Sequence, residues 1–87
     1  MSIVEQAIEP KIKSVNINEY TLTVDLMDGR TVSVPLVWSW RLSEATPQQR
    51  NRFEIIGEGE GIHWPEIDED ISVEGMLYGI PAYRPER

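Results

Sequence analysis

The chain has 87 residues, a formal net charge of −7, three tryptophans, one histidine and no cysteine. That length leaves no room for a second hydrophobic core, and the missing cysteine excludes disulfides and thiolate ligands. The acidic balance argues against a nucleic-acid partner, which draws on clustered cations.

No apolar run approaches the ~20 residues of a membrane span. The N-terminus MSIVEQAIEP lacks the basic start and cleavage site of a signal peptide, so a cytoplasmic protein is expected, with no membrane partner. A domain this small buries only about 60–65% of its unfolded surface, and a homodimer would add to that.

Residues 1–10 are weakly patterned, close at Pro10, and read as an N-terminal arm. From Ile12 the pattern is that of strands. Val15 and Ile17 alternate with Ser14 and Asn16 up to Asn18-Glu19, a two-residue turn that would pair Ile17 with Tyr20 and Val15 with Leu22. Tyr20, Leu22, Val24 and Leu26 then share one face, and Val32, Val34 and Leu36 repeat the alternation. A two-residue Asp28-Gly29 loop would set Leu26 against Thr31, mixing apolar and polar on one face. A three-residue loop, Met27-Asp28-Gly29, pairs Leu26 with Arg30 instead and keeps Val32 and Val34 inside, with Gly29 left-handed.

Residues 37–43 form a connector holding Trp38, Trp40 and Arg41. Thr46-Pro47-Gln48-Gln49 is a helix start, with Thr46 as N-cap, proline at the first position and Gln49 returning the capping bond. The predicted helix runs over 47–56 and ends at Gly57 as a left-handed cap. Ile62-His63-Trp64 is extended until Pro65. Ser72 caps a last short helix, Val73 to Tyr78, which Gly79 ends, and residues 81–87 form a tail. The expected fold is α+β, one domain over residues 11–80. It comprises a three-stranded antiparallel meander and a short extra strand, with two short helices packed on the apolar face.

Chemistry concentrates between Glu54 and Glu74, where eight acids stand with no Lys or Arg. Gly57, Gly59 and Gly61 lack the spacing of a dinucleotide fingerprint, and the intervening Glu58 and Glu60 would repel phosphate. His63, Asp68 and Asp70 are the candidate metal ligands, yet they match no known ligand spacing, and capping or a solvated loop accounts for the acids. No catalytic residue is assigned, because His63 has no evident nucleophile nearby. No cofactor is expected. Three tryptophans are many for this length, and aromatic anchors beside an arginine suit a protein interface. The candidate partner-binding set is Trp38, Trp40, Arg41, His63, Trp64, Glu66, Asp68 and Asp70.

Several runs carry a resemblance. They are D-G-R at 28–30, V-P-L at 34–36, R-L at 41–42, A-T-P-x-x-R at 45–50, G-x-G-x-G-I-H-W-P at 57–65 and D-E-D-I-S-V-E-G-x-L at 68–77. With these the chain resembles the bacterial family called domain of unknown function 2442, over about residues 12–79. The resemblance implies a small α+β protein with no catalytic residues to carry over. Some members look like the antitoxin-like partner in a two-gene pair, and some longer relatives append a helix-turn-helix domain. No such extension follows here, so direct DNA binding is not expected. The function expected is non-catalytic binding of another small, basic protein. The alternative is a metal-binding module or metal-dependent enzyme centred on His63 and the acids of residues 66–70. A third reading is an accessory to a transcription regulator.

Overall fold

Period-two alternation produces the first sheet. The computed structural model describes residues 10–79, and in it β1 (Ile12–Ile17), β2 (Thr21–Leu26) and β3 (Thr31–Pro35) pair antiparallel in the order β1-β2-β3. Leu22, Val24, Leu26 and Val34 are buried while Asp25, Thr31 and Ser33 face out. Ile12 is also buried, although even-numbered Ser14 and Asn16 are exposed. An irregularity between Ile12 and Ser14 accounts for this: one extra residue, Lys13, flips the strand and returns Ile12 to the core face.

The two turns of this sheet differ in how they follow from sequence. Leu26 N donates to Arg30 O at 2.8 Å and Gly29 has φ 98°, as the three-residue loop requires. At the first turn the expected Ile17–Tyr20 pairing is corrected to Ile17–Leu22. Asn18 Oδ1 accepts from the backbone N–H of Tyr20 (2.7 Å) and of Thr21 (2.8 Å), which makes Asn18 the corner rather than the interior of the loop. Tyr20 is left 77% exposed. The parity of the apolar face survives, since Val15 pairs with Val24.

The connector winds into a 3-10 turn (Leu36–Trp38), then α1 (Trp40–Glu44) and α2 (Pro47–Arg50). The capping box at Thr46 and Gln49 forms in both directions, 3.0 and 3.1 Å, with Pro47 in the first turn. The helix it starts is four residues long, not the ten expected over 47–56. Asn51 ends it, and Glu54–Ile56 is strand β4. Ile55 and Ile56 are β-branched and pair with Ile62 and Gly61 across a hairpin, and that pairing outweighs helix continuation. Gly57 is therefore the corner of a hairpin rather than a helix cap. Gly57, Glu58 and Gly59 all have positive φ (60°, 57° and 96°).

The short extra strand expected at 62–64 is the middle of a second sheet. β4, β5 (Gly61–Trp64) and β6 (Glu69–Ser72) pair antiparallel in that order, and α3 (Val73–Tyr78) follows directly. Ser72 Oγ accepts from Gly75 N at 2.9 Å, and Gly79 ends α3 with φ 71°. The fold is thus α+β, with two three-stranded antiparallel sheets and three short helices.

One apolar cluster draws on both sheets. Leu22 and Val24 from the first meet Ile62 and Trp64 from the second, with Leu42 of α1 and Met76 of α3. Trp64 is fully buried; its Nε1–H donates to Arg50 O at 2.9 Å, and its ring lies 6.2 Å from that of Phe53. The 57–60 turn stitches the sheets together. Between the sheets Ile12 N donates to Gly59 O (2.8 Å), and a Cβ on Gly59 would lie 3.0 Å from Ile12 N; Val73 N donates to Glu60 O (3.0 Å) and continues the β5–β6 pairing within the second sheet. No helix among the described residues is long and apolar enough to cross a membrane. The arm and tail expected at 1–10 and 81–87 lie outside the described residues, except Pro10.

On the outer face of the first sheet, hydrogen bonds from Thr31 Oγ1 (2.7 Å) and Ser14 Oγ (2.9 Å) hold the Asp25 carboxyl below its ordinary value of 3.8. A carboxyl whose folded pKa is depressed adds stability above the unfolded value, and loses it as pH falls through the folded value. Asp25→Asn is therefore expected to be less stable than the parent at neutral pH. The gap should close as pH drops below 3.8, as read from urea unfolding at a series of pH values.

Candidate functional site

Ser39 sits between the two tryptophans of the connector and is the pivot of the site. Its backbone is extended (φ −113°, ψ 107°), which turns the chain out of the 3-10 turn, and its Oγ caps α1 by accepting from Leu42 N at 3.2 Å. The same hydroxyl donates its hydrogen to Glu69 Oε2 at 2.5 Å. Ser39 is 4% and Glu69 6% exposed. A buried carboxylate is costly unless its oxygens find donors. Here the other oxygen, Oε1, accepts from Asp70 N at 3.0 Å, and the Arg41 guanidinium lies 3.9 Å away.

Arg41 is fixed from two sides. Its Nη1 donates to the Asp68 carbonyl at 2.8 Å, and the guanidinium carbon lies 5.0 Å from the Trp40 ring centroid, within cation–π range. Asp68 presents its carbonyl there through a positive φ of 52° at the end of the 65–68 turn. Across β5 and β6, His63 and Asp70 are register partners, and Nδ1 of the ring lies 2.7 Å from Asp70 Oδ1. The Asp70 side chain is 65% exposed.

A cavity of about 240 Å³ opens beside this network. Its walls come from β3, the connector, β6 and α3, chiefly Leu36, Trp38, Leu42, Ile71 and Met76. Ser39, Asp70 and Ser72 are the polar residues of its lining. Two of their oxygens are already engaged, Ser39 Oγ by Leu42 N and Glu69, and Ser72 Oγ by Gly75 N. Asp70 is the charged group at the cavity.

The candidate residues read from sequence are thus divided. Trp38 is half-buried and lines the cavity together with Asp70, to which His63 is tied. Trp40 and Arg41 stack on each other beside Asp68. Glu66 stands apart, paired with Arg52 at 2.5 Å. Trp64 is removed from the partner-binding set, because a side chain with no exposed area cannot touch a partner. Asp68 contributes its backbone carbonyl to this network. Among the described residues no three His, Asp or Glu side chains come together as a metal-holding group.

Two residues that organise the site escaped the sequence reading. Ser39 carries the signal of an N-cap three residues before Leu42, but α1 is only five residues long and shows no helical period. Glu69 is one of the acids of residues 66–70 for which the sequence offers only capping or a solvated loop. Its burial follows from the register that sets it opposite Trp64.

Residues 12–82 match the model of a family described as a protein of unknown function (DUF2442). The chain belongs to that family. The resemblance carried by the D-G-R, G-I-H-W-P and D-E-D-I-S-V-E-G runs is confirmed. This DUF2442 chain is similar to a protein of unknown function from Rhodospirillum rubrum, seen in a crystal structure. The two are 30% identical, with 88% of this chain and 95% of the other covered and a TM-score of 0.77. It is also similar to an uncharacterised protein from Chromobacterium violaceum solved by solution NMR, 26% identical, covering 83% of this chain and 68% of the other, TM-score 0.70. No curated protein matches it.

Ser39→Ala removes the α1 cap, worth about 1 kcal/mol, and leaves a buried carboxylate oxygen without its donor, about 1–3 kcal/mol more. The expected loss is about 2–4 kcal/mol in denaturant unfolding, against less than about 0.5 kcal/mol for Ser43→Ala on the exposed side of the same helix.

Proposed function

We propose that this DUF2442 chain is a non-catalytic protein-binding module whose partner docks over the cavity bordered by Trp38 and Asp70, flanked by Trp40 and Arg41. The observation that carries this reading is an apolar cavity with a half-buried tryptophan in its wall and an exposed carboxylate beside it. Interfaces concentrate their energy in such aromatic-lined pockets, with charge around them setting specificity. The network around Arg41 supports the reading in a second way. Its guanidinium is held in place before any partner arrives, so little side-chain entropy is lost on docking.

The two serine hydroxyls bordering the cavity favour binding over catalysis. Ser39 gives its hydrogen to a buried carboxylate, and Ser72 caps α3. Neither is hydrogen-bonded to the imidazole, whose Nδ1 faces Asp70. A nucleophile would need that contact with a base.

Affinity capture from the native cell tests the proposal when run with two charge reversals of equal sign. Asp70→Lys, at the cavity, is expected to lose the captured partner. Glu58→Lys, at the exposed tip of the 57–60 turn, is expected to keep it. Equal capture by both variants would remove the cavity from the interface.

A further inference from the structure

The chemistry of the cavity narrows the kind of segment that would fill it, on the reading that a protein docks there. We infer that the partner inserts one apolar side chain of leucine or methionine size into the cavity and sets a lysine or arginine, adjacent in its sequence, against Asp70. Size argues for a side chain rather than a cofactor. The cavity measures about 240 Å³, under the roughly 300–1,000 Å³ of sites that enclose whole small ligands. Its lining argues for an apolar group. Leu36, Leu42, Ile71, Met76 and the Trp38 ring form the walls. The Ser39 hydroxyl hydrogen is already donated to Glu69, and both serine oxygens already accept a backbone N–H. A polar group inserted among these walls would lose water for few hydrogen bonds.

Charge argues for the neighbouring cation. Asp70 borders the cavity, holds His63 through Oδ1 and has a side chain that is 65% exposed. Arg41, the cation closest in sequence to the cavity lining, is engaged by the Asp68 carbonyl and the Trp40 ring. Among the described residues Asp70 is the one charged residue in the lining, so the edge of the cavity favours a positive charge, in line with the net charge of −7.

Peptide titration of the isotopically labelled full chain tests this, with the Met76 methyl and the Trp38 indole as reporters. The probes are acetyl-Gly-Leu-Arg-Gly-amide, its Leu-Glu counterpart and its Ala-Arg counterpart, each taken to millimolar concentration. The Leu-Arg peptide is expected to shift both reporters saturably and the Ala-Arg peptide to leave Met76 unmoved. The Leu-Glu peptide is expected to bind about two- to fivefold more weakly, the range of an exposed ion pair. Asp70→Asn should weaken the Leu-Arg peptide, leave the Leu-Glu peptide no weaker, and so bring the two affinities together. Equal binding of Leu-Arg and Leu-Glu overturns the cation and leaves the docking site standing. A Met76 that responds to no peptide overturns the anchor itself. Shifts at Met76 that grow with protein concentration alone would assign the cavity to a second copy of the chain, and would also overturn the inference.

Discussion

The Ser39 hydroxyl, donating to a buried Glu69 carboxylate at 2.5 Å, is the contact on which this arrangement turns. A carboxylate with 6% exposure is held in place by its donors, because losing one leaves charge stranded in a poorly solvated site. Ser39 belongs to the connector that leaves the first sheet, and Glu69 opens β6 of the second. Their hydrogen bond therefore joins the two sheets through side chains, at a point distant in sequence from the backbone stitch between Ile12 and Gly59. It also decides how the tryptophans are presented. Trp38 and Trp40 flank Ser39, so fixing that residue places one ring against the cavity and the other under Arg41.

Much of the first sheet was legible because strand periodicity and loop parity are local. Val24 and Leu26 had to share a face, and only a three-residue loop at 27–29 keeps Val32 and Val34 with them, as the Leu26–Arg30 hydrogen bond shows. Where a short-range side chain competes, the same logic slips. Asn18 accepts two backbone N–H groups and moves the first turn on by one residue, which exposes Tyr20 without changing the buried face. The second sheet was misread for a different reason. The Thr46 capping box states where a helix begins and nothing about how far it runs, and Ile55 and Ile56 pair across a hairpin whose corner includes a positive φ at Glu58. Such a φ is uncommon for a residue with a Cβ and leaves little trace in sequence.

The site was legible only in part. Aromatic density and acidic bias pointed to Trp38, Trp40, Arg41 and Asp70, which lie in or beside the cavity network. Trp64 carried the same signal and turned out to be the largest fully buried side chain, since a tryptophan suits a core as well as an interface. Thirty residues separate Ser39 from Glu69. No local pattern links them, and their contact follows from the pairing of β5 with β6, which aligns Trp64 with Glu69 and His63 with Asp70. The similarity to the Rhodospirillum rubrum and Chromobacterium violaceum structures shows that this two-sheet scaffold is not peculiar to one chain.

The central claim is energetic coupling between Ser39 and Glu69, and a double-mutant cycle measures it directly. Unfolding free energies of the parent, Ser39→Ala, Glu69→Gln and the double variant give the interaction term without reference to what each residue does elsewhere. The account predicts a coupling of about 0.5–3 kcal/mol, the range for groups sharing one hydrogen-bond network. Additive losses, with coupling within about 0.3 kcal/mol of zero, would contradict it and leave the shared apolar core and the 57–60 turn as what joins the two sheets.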